Sequence, residues 1–139
     1  MKKMLFLLAL AFADLSCADA QSLKTKDVPA AVQTAFSAKF SNATEVSWAL
    51  EDGKYEAGFE TNEQEISALF DAQGNLLETE TEIAVSALPA PVAAAVAQMR
   101  PGKKIKEAAQ ITDAAGNVTY EAEVRGKDLI FDANGNFLK

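Results

Sequence analysis

Apolar residues recur every third or fourth position in two stretches of the chain and every second position through most of the rest. Val28, Val32, Phe36 and Phe40, with Ala31 and Ala35 beside them, form one stripe at helical spacing. Leu88, Val92, Val96 and Met99 form a second. Pro29 and Pro89 are placed in the first turn of each predicted helix, where a missing N–H has no intrahelical partner. Arg100-Pro101-Gly102 ends the second helix.

Period-two alternation follows each helix and predicts strands. Val46, Trp48 and Leu50 share a face, as do Tyr55, Ala57 and Phe59, with Lys54, Glu56 and Glu60 on the other side. Ile66, Ala68 and Phe70 mark a third strand. Leu76 to Ile83 marks a fourth, with Glu78, Glu80 and Glu82 on one side. The later part repeats the scheme with Ile105 to Ile111, Val118 to Val124, Leu129 and Phe131, and a short tail at Phe137. The turns DAQGN, DAAGN and DANGN each place Gly where a hairpin bulge needs positive φ.

The chain is in effect written twice. Val28-Pro29-Ala30-Ala31-Val32 returns as Leu88-Pro89-Ala90-Pro91-Val92, Tyr55-Glu56-Ala57 as Tyr120-Glu121-Ala122, and SALFDAQGNLLE (67–78) as DLIFDANGNFLK (128–139). The expected fold is α+β: two tandem α-β-β-β-β repeats, 28–86 and 87–139, forming an antiparallel sheet with the helices packed on one face and the other face open. Small Ala57 and Ala122 at the centre of the buried pattern let the helices approach closely.

The beginning of the chain has a different character. Lys2 and Lys3, the ten-residue apolar run from Met4 to Ala13 and Ala18-Asp19-Ala20 have the pattern of a signal peptide, residues 1–20, cut before Gln21. The run is shorter than the roughly 20 apolar residues that span a bilayer, and no transmembrane segment is expected in residues 21–139. Cys17, the only cysteine, follows Asp14, Leu15 and Ser16, and a charge three residues back disfavours lipidation. The expectation is a periplasmic or secreted single domain, 21–139, monomeric and without a thiol.

Composition narrows the chemistry. There is no histidine, which removes serine–histidine triads and histidine-based zinc sites. No glycine-rich phosphate loop precedes a helix. A net charge of −7 without Lys/Arg clusters argues against nucleic acid. No cofactor, metal site or catalytic residue is expected, and the chain is read as a non-enzyme. DAQGN and DANGN lack the spacing and terminal glutamate of a calcium loop.

Acidity is confined to the first copy: residues 28–86 hold eleven acids against Lys39 and Lys54, a net of −9, while 87–139 carry a net of +1. Glu56, Glu60, Glu78, Glu80 and Glu82 therefore form either a solvated outer face or a docking surface for a cationic partner or divalent ion. A glycosidase pair is disfavoured because glutamates on an open face lack the burial that raises a pKa. Trp48 is expected in the core, and Gly58 faces outward where the second copy has Glu123. Leu69 and Ile130 occupy equivalent outward positions, either a protein-binding patch rimmed by acids or two apolar residues packed on each other.

The V/L-P-A-x-V helix, the Tyr-Glu-Ala strand and the F-D-A-x-G-N hairpin resemble the secreted PepSY-like, β-lactamase-inhibitor-like family. The resemblance covers nearly all of 21–139 and rests on structural motifs. It implies the fold of the β-lactamase inhibitor protein, tandem α/β repeats whose open concave sheet face binds an enzyme; PepSY domains are associated with inhibitory propeptides of proteases. The chain departs from that inhibitor in lacking disulfides and in having one helix per copy. Two expectations follow: a module that docks onto or inhibits an unidentified envelope or extracellular protein through the open sheet face, or a small-ligand or cation binder using the acidic face of the first repeat.

Overall fold

The computed structural model describes residues 20–139, so the expected leader lies outside the described residues except for Ala20. The chain divides into two compact units, one running to Thr79 and the other from Glu80 to Lys139. The first holds strand β1 (Gln21–Leu23), a 3-10 turn (Thr25–Asp27), helix α1 (Ala30–Lys39), β2 (Thr44–Glu51), β3 (Lys54–Thr61) and β4 (Gln64–Phe70). β5 (Leu76–Ile83) crosses the boundary. The second holds a 3-10 turn (Val85–Ala87), α2 (Ala90–Met99), β6 (Glu107–Asp113), β7 (Val118–Val124) and β8 (Lys127–Phe131). Within the first unit β1, β2, β3 and β4 pair in order, all antiparallel, and within the second β6, β7 and β8 do the same. The class is α+β, as the alternation predicts.

Each helix buries its stripe against one face of its own strands. Val28, Val32 and Phe36 pack on Trp48, Ala57, Phe59, Ala68 and Phe70. Leu88, Val92 and Val96 pack on Ala108, Ala122, Val124, Leu129 and Phe131. The first core is aromatic: Phe36 meets Trp48 and Phe59 edge-on, with ring centroids 5.2 and 5.1 Å apart. The second has Val96 at the position of Phe36 and Ala108 at that of Trp48. Both central alanines are fully buried.

Three details differ from the sequence reading. Pro29 and Pro89 are N-cap residues, with extended ψ of 140° and 138°, and their carbonyls accept from Gln33 and Ala93. Val46 is exposed because a bulge between Thr44 and Ser47, with Glu45 at φ 53°, breaks the alternation ahead of Trp48. The fourth strand of the second copy is reduced to one bridge, Phe131 to Phe137, extended by the Ile130–Lys139 and Leu138–Ile130 backbone hydrogen bonds.

The turns carry much of the specification. Asp52-Gly53, Asn62-Glu63 and Arg125-Gly126 all have positive φ at both central positions, matching the right-handed twist of the flanking strands. The three D-A-x-G-N loops are closed alike. Oδ1 of Asp71, Asp113 and Asp132 accepts the N–H groups two and four residues on, and Oδ2 accepts the side-chain amide of Asn75, Asn117 and Asn136 at 2.8, 2.8 and 2.7 Å. These bonds, the asparagine side chain first, hold all three carboxyls below the usual aspartate range. The turn's own donors thus engage both oxygens of each carboxylate.

Candidate functional site

The face of the first unit opposite α1 is carried by Ser47, Ala49 and Glu51 of β2, Lys54, Glu56, Gly58 and Glu60 of β3, and Glu65, Ser67 and Leu69 of β4. Register sets them in cross-strand rows: Glu51 beside Lys54, Ala49–Glu56–Leu69, and Ser47–Gly58–Ser67. No helix of the unit covers this face among the described residues.

Glu56 is the chemically distinct member. It is 6% exposed, and its pKa is raised to about 7, chiefly by burial. The Ser67 hydroxyl opposes that rise in part, while Glu51 and Glu78 add to it. Glu51 is itself pushed up by burial and by Asp52, with Lys54 pulling the other way. The premise that these glutamates lack burial is therefore wrong for Glu56 and for Glu80, 3% exposed, positions that period-two reading counts as wet.

The other expected residues separate. Glu60 and Glu78 are half-buried in the first unit, and Glu78 lies near enough to act on Glu56. Glu80 and Glu82 belong to the second unit, Glu80 buried and Glu82 half-buried. Leu69 and Ile130 are 1% and 7% exposed and so form no exposed apolar patch, the first of the two readings of this pair. Leu69 is flanked in register by Glu56, and Ile130 by Glu121 and the C-terminal tail. Trp48 is core, as expected. Sequence reasoning passed over Ser67 and Glu51, although both share the outward parity of Glu56; a short polar residue facing a glycine across two strands was the available signal.

The second unit fills the equivalent of the Ser47–Gly58–Ser67 row with Glu107, Glu123 and Asp128. Lys106 Nζ lies 3.2 Å from Glu107 and 3.6 Å from Glu123. Those carboxylates hold the ammonium above its ordinary pKa. Among the described residues no group of three or more acids stands in metal-holding geometry, and no helix is long and apolar enough to cross a membrane.

Solved structures of similar fold come from Bacteroides. A DUF2874 family protein of B. uniformis aligns with a TM-score of 0.72 at 21% identity, over 80% of this chain and 86% of that one. A protein of B. eggerthii described as a putative periplasmic protein gives 0.73 at 19%, over 81% and 86%. A BLIP-like protein of B. fragilis gives 0.66 at 27%, over 80% and 84%. Comparison with curated proteins gives no match. The model of the family described as "Putative beta-lactamase-inhibitor-like, PepSY-like" matches twice, over residues 16–77 and 53–139. With the two matches together spanning all of the described residues, the chain belongs to the PepSY-like, β-lactamase-inhibitor-like family.

Proposed function

We propose that the protein is an exported, non-enzymatic binding module that docks onto or inhibits an envelope protein through the sheet face opposite α1. The observation that carries this reading is the pairing of a strand face that no helix of the unit covers among the described residues with one-sided charge: net −9 over 28–86 against +1 over 87–139. Membership of an inhibitor-like family and similarity to a BLIP-like protein support it. Export is supported by the leader pattern and by a structural neighbour described as periplasmic. The docking residues are the half-buried Glu60 and Glu78 of the first unit and the half-buried Glu82 of the second. Glu56 and Leu69 of the first unit and Glu80 and Ile130 of the second are buried. An acidic face of this kind steers a basic partner and weakens with salt.

The test is capture from envelope extract on immobilised protein at low and high salt, repeated with Glu56, Glu60, Glu78, Glu80 and Glu82 changed to Gln. The expected result is a specific protein retained at low salt and lost in the neutralised variant. Equal retention by that variant would refute the acidic-face reading.

A further inference from the structure

The leader pattern and the fold meet at Gln21. A cut after Ala18-Asp19-Ala20 makes Gln21 the first residue of the exported chain. Glutamine has a particular chemistry in that place. Its side-chain amide carbon lies within reach of its own α-amine through a five-membered ring, which asparagine is one carbon too short to close. An α-amine titrates at about 7.7–8.0, so part of it is the neutral nucleophile at neutral pH.

The structure leaves this side chain available. Gln21 opens β1, and both it and Ser22 are exposed. Its register partner is Leu50, with Ser22 opposite Ala49 and Leu23 opposite Trp48. Among the described residues no hydrogen bond holds its side-chain amide. Gln33 shows the contrast, its amide donating to the carbonyls of Thr25 and Val28 at 2.9 and 2.8 Å. The Gln21 amide can therefore turn back on the amine, and an enzyme that assists the closure can reach it. Ring closure alters only the amine and side chain of Gln21. The pairings of Ser22 and Leu23 with β2 involve neither.

What such a ring protects is also visible. β1 is a three-residue strand at the sheet edge, and Leu23 packs against the core that holds Trp48. A free amine admits aminopeptidases, and proteolysis concentrates at exposed termini. Three cleavages would strip Leu23 from the core and leave the eight-residue β2 as an open edge, which invites pairing with other chains.

We propose that Gln21 is a modification site, closed to an N-terminal pyroglutamyl lactam that blocks the chain against aminopeptidases and so preserves β1. The α-amine nitrogen bonds to the side-chain amide carbon, the bond from that carbon to the amide nitrogen breaks, and one amine proton leaves with that nitrogen as ammonia. No oxidant, reductant or second substrate enters. The proposal rests on the export reading above, with the cut before Gln21, and not on which face docks a partner.

The experiment is intact-mass spectrometry and Edman sequencing of the chain expressed at full length in its source cells and recovered from the envelope fraction without storage. The expected mass is that of residues 21–139 less one ammonia, with Edman sequencing blocked at the first cycle. Gln21→Asn, which keeps an amide but cannot close the ring, should retain its ammonia and give a readable first cycle. Incubated with an aminopeptidase, that variant should lose residues 21–23 while the wild type keeps them. A wild-type chain that starts at Gln21 with its amine intact leaves export standing and overturns the lactam. A chain that starts at another residue, or keeps its leader, overturns the cut and the lactam together. Equal trimming of a lactam-bearing wild type and Gln21→Asn overturns the protective role.

Discussion

Replacing Gly74 by alanine separates two effects that usually arrive together. Gly53 and Gly74 both lie in the first unit at positive φ, 73° and 86°, so alanine at either meets the left-handed penalty of about 1–2 kcal/mol. Their surroundings differ. A Cβ at Gly53 meets nothing within 4 Å, but at Gly74 it would stand 2.6 Å from the carbonyl oxygen of Ala31 and 3.0 Å from its carbon. That carbonyl belongs to the first turn of α1, which cannot retreat without lifting Val32 from the core. Forced overpacking of this kind adds roughly 1–3 kcal/mol. Gly74→Ala should therefore destabilise the unit by about 2–5 kcal/mol, against about 1–2 for Gly53→Ala. Urea unfolding followed by fluorescence of Trp48, the single tryptophan, reads this directly, because its indole packs on Phe36 in the same core. Equal midpoints at unchanged m-value would refute the claim that the D-A-Q-G-N loop is clamped against the helix. The second unit offers the same contrast: a Cβ on Gly135 collides with the Pro91 carbonyl, while one on Gly116 meets open space.

Two further outcomes follow from the turns and from Glu56. Glu56 keeps its proton to about pH 7 in the fold but only to about 4.5 when unfolded. Its contribution is therefore complete below pH 4.5 and lost as pH rises through 7, a change on the order of 3 kcal/mol at 1.36 kcal/mol per pH unit. Glu56→Gln should leave stability unchanged at pH 4 and raise it at pH 8; a constant difference across that range, by denaturant unfolding, would contradict the burial argument. Glu63 sits at φ 64° in a two-residue hairpin, so Glu63→Gly should stabilise by about 1 kcal/mol in thermal unfolding, and a loss of stability would show that its side chain matters more than its backbone.

Legibility in the sequence tracked how local the determining physics was. The helix stripes through Val32 and Val92, the alternation through Ala57 and Ala122, and the glycines of the D-A-x-G-N loops act over a few residues. Each was readable. Val46 was misread because a one-residue bulge reverses parity without leaving a mark in composition. Pro29 and Pro89 fell one position outside the helix, since N-cap and first-turn prolines differ only in ψ. The outward face was the larger loss. Parity places Glu56, Ser67 and Leu69 on it correctly, but exposure depends on how neighbouring strands and their side chains close over a position. Leu69 and Ile130 consequently looked wet and are buried, while Ser67 looked ordinary and is buried beside Glu56.

The most direct test of the account is site-specific photocrosslinking in envelope extract, with the photoreactive residue at Glu60 on the open face or at Ser37 on the exposed side of α1. The account predicts a discrete, salt-sensitive protein adduct from Glu60 and none from Ser37. An adduct from Ser37 without one from Glu60 would place the partner on the helices and contradict the assignment of the sheet face as the docking surface.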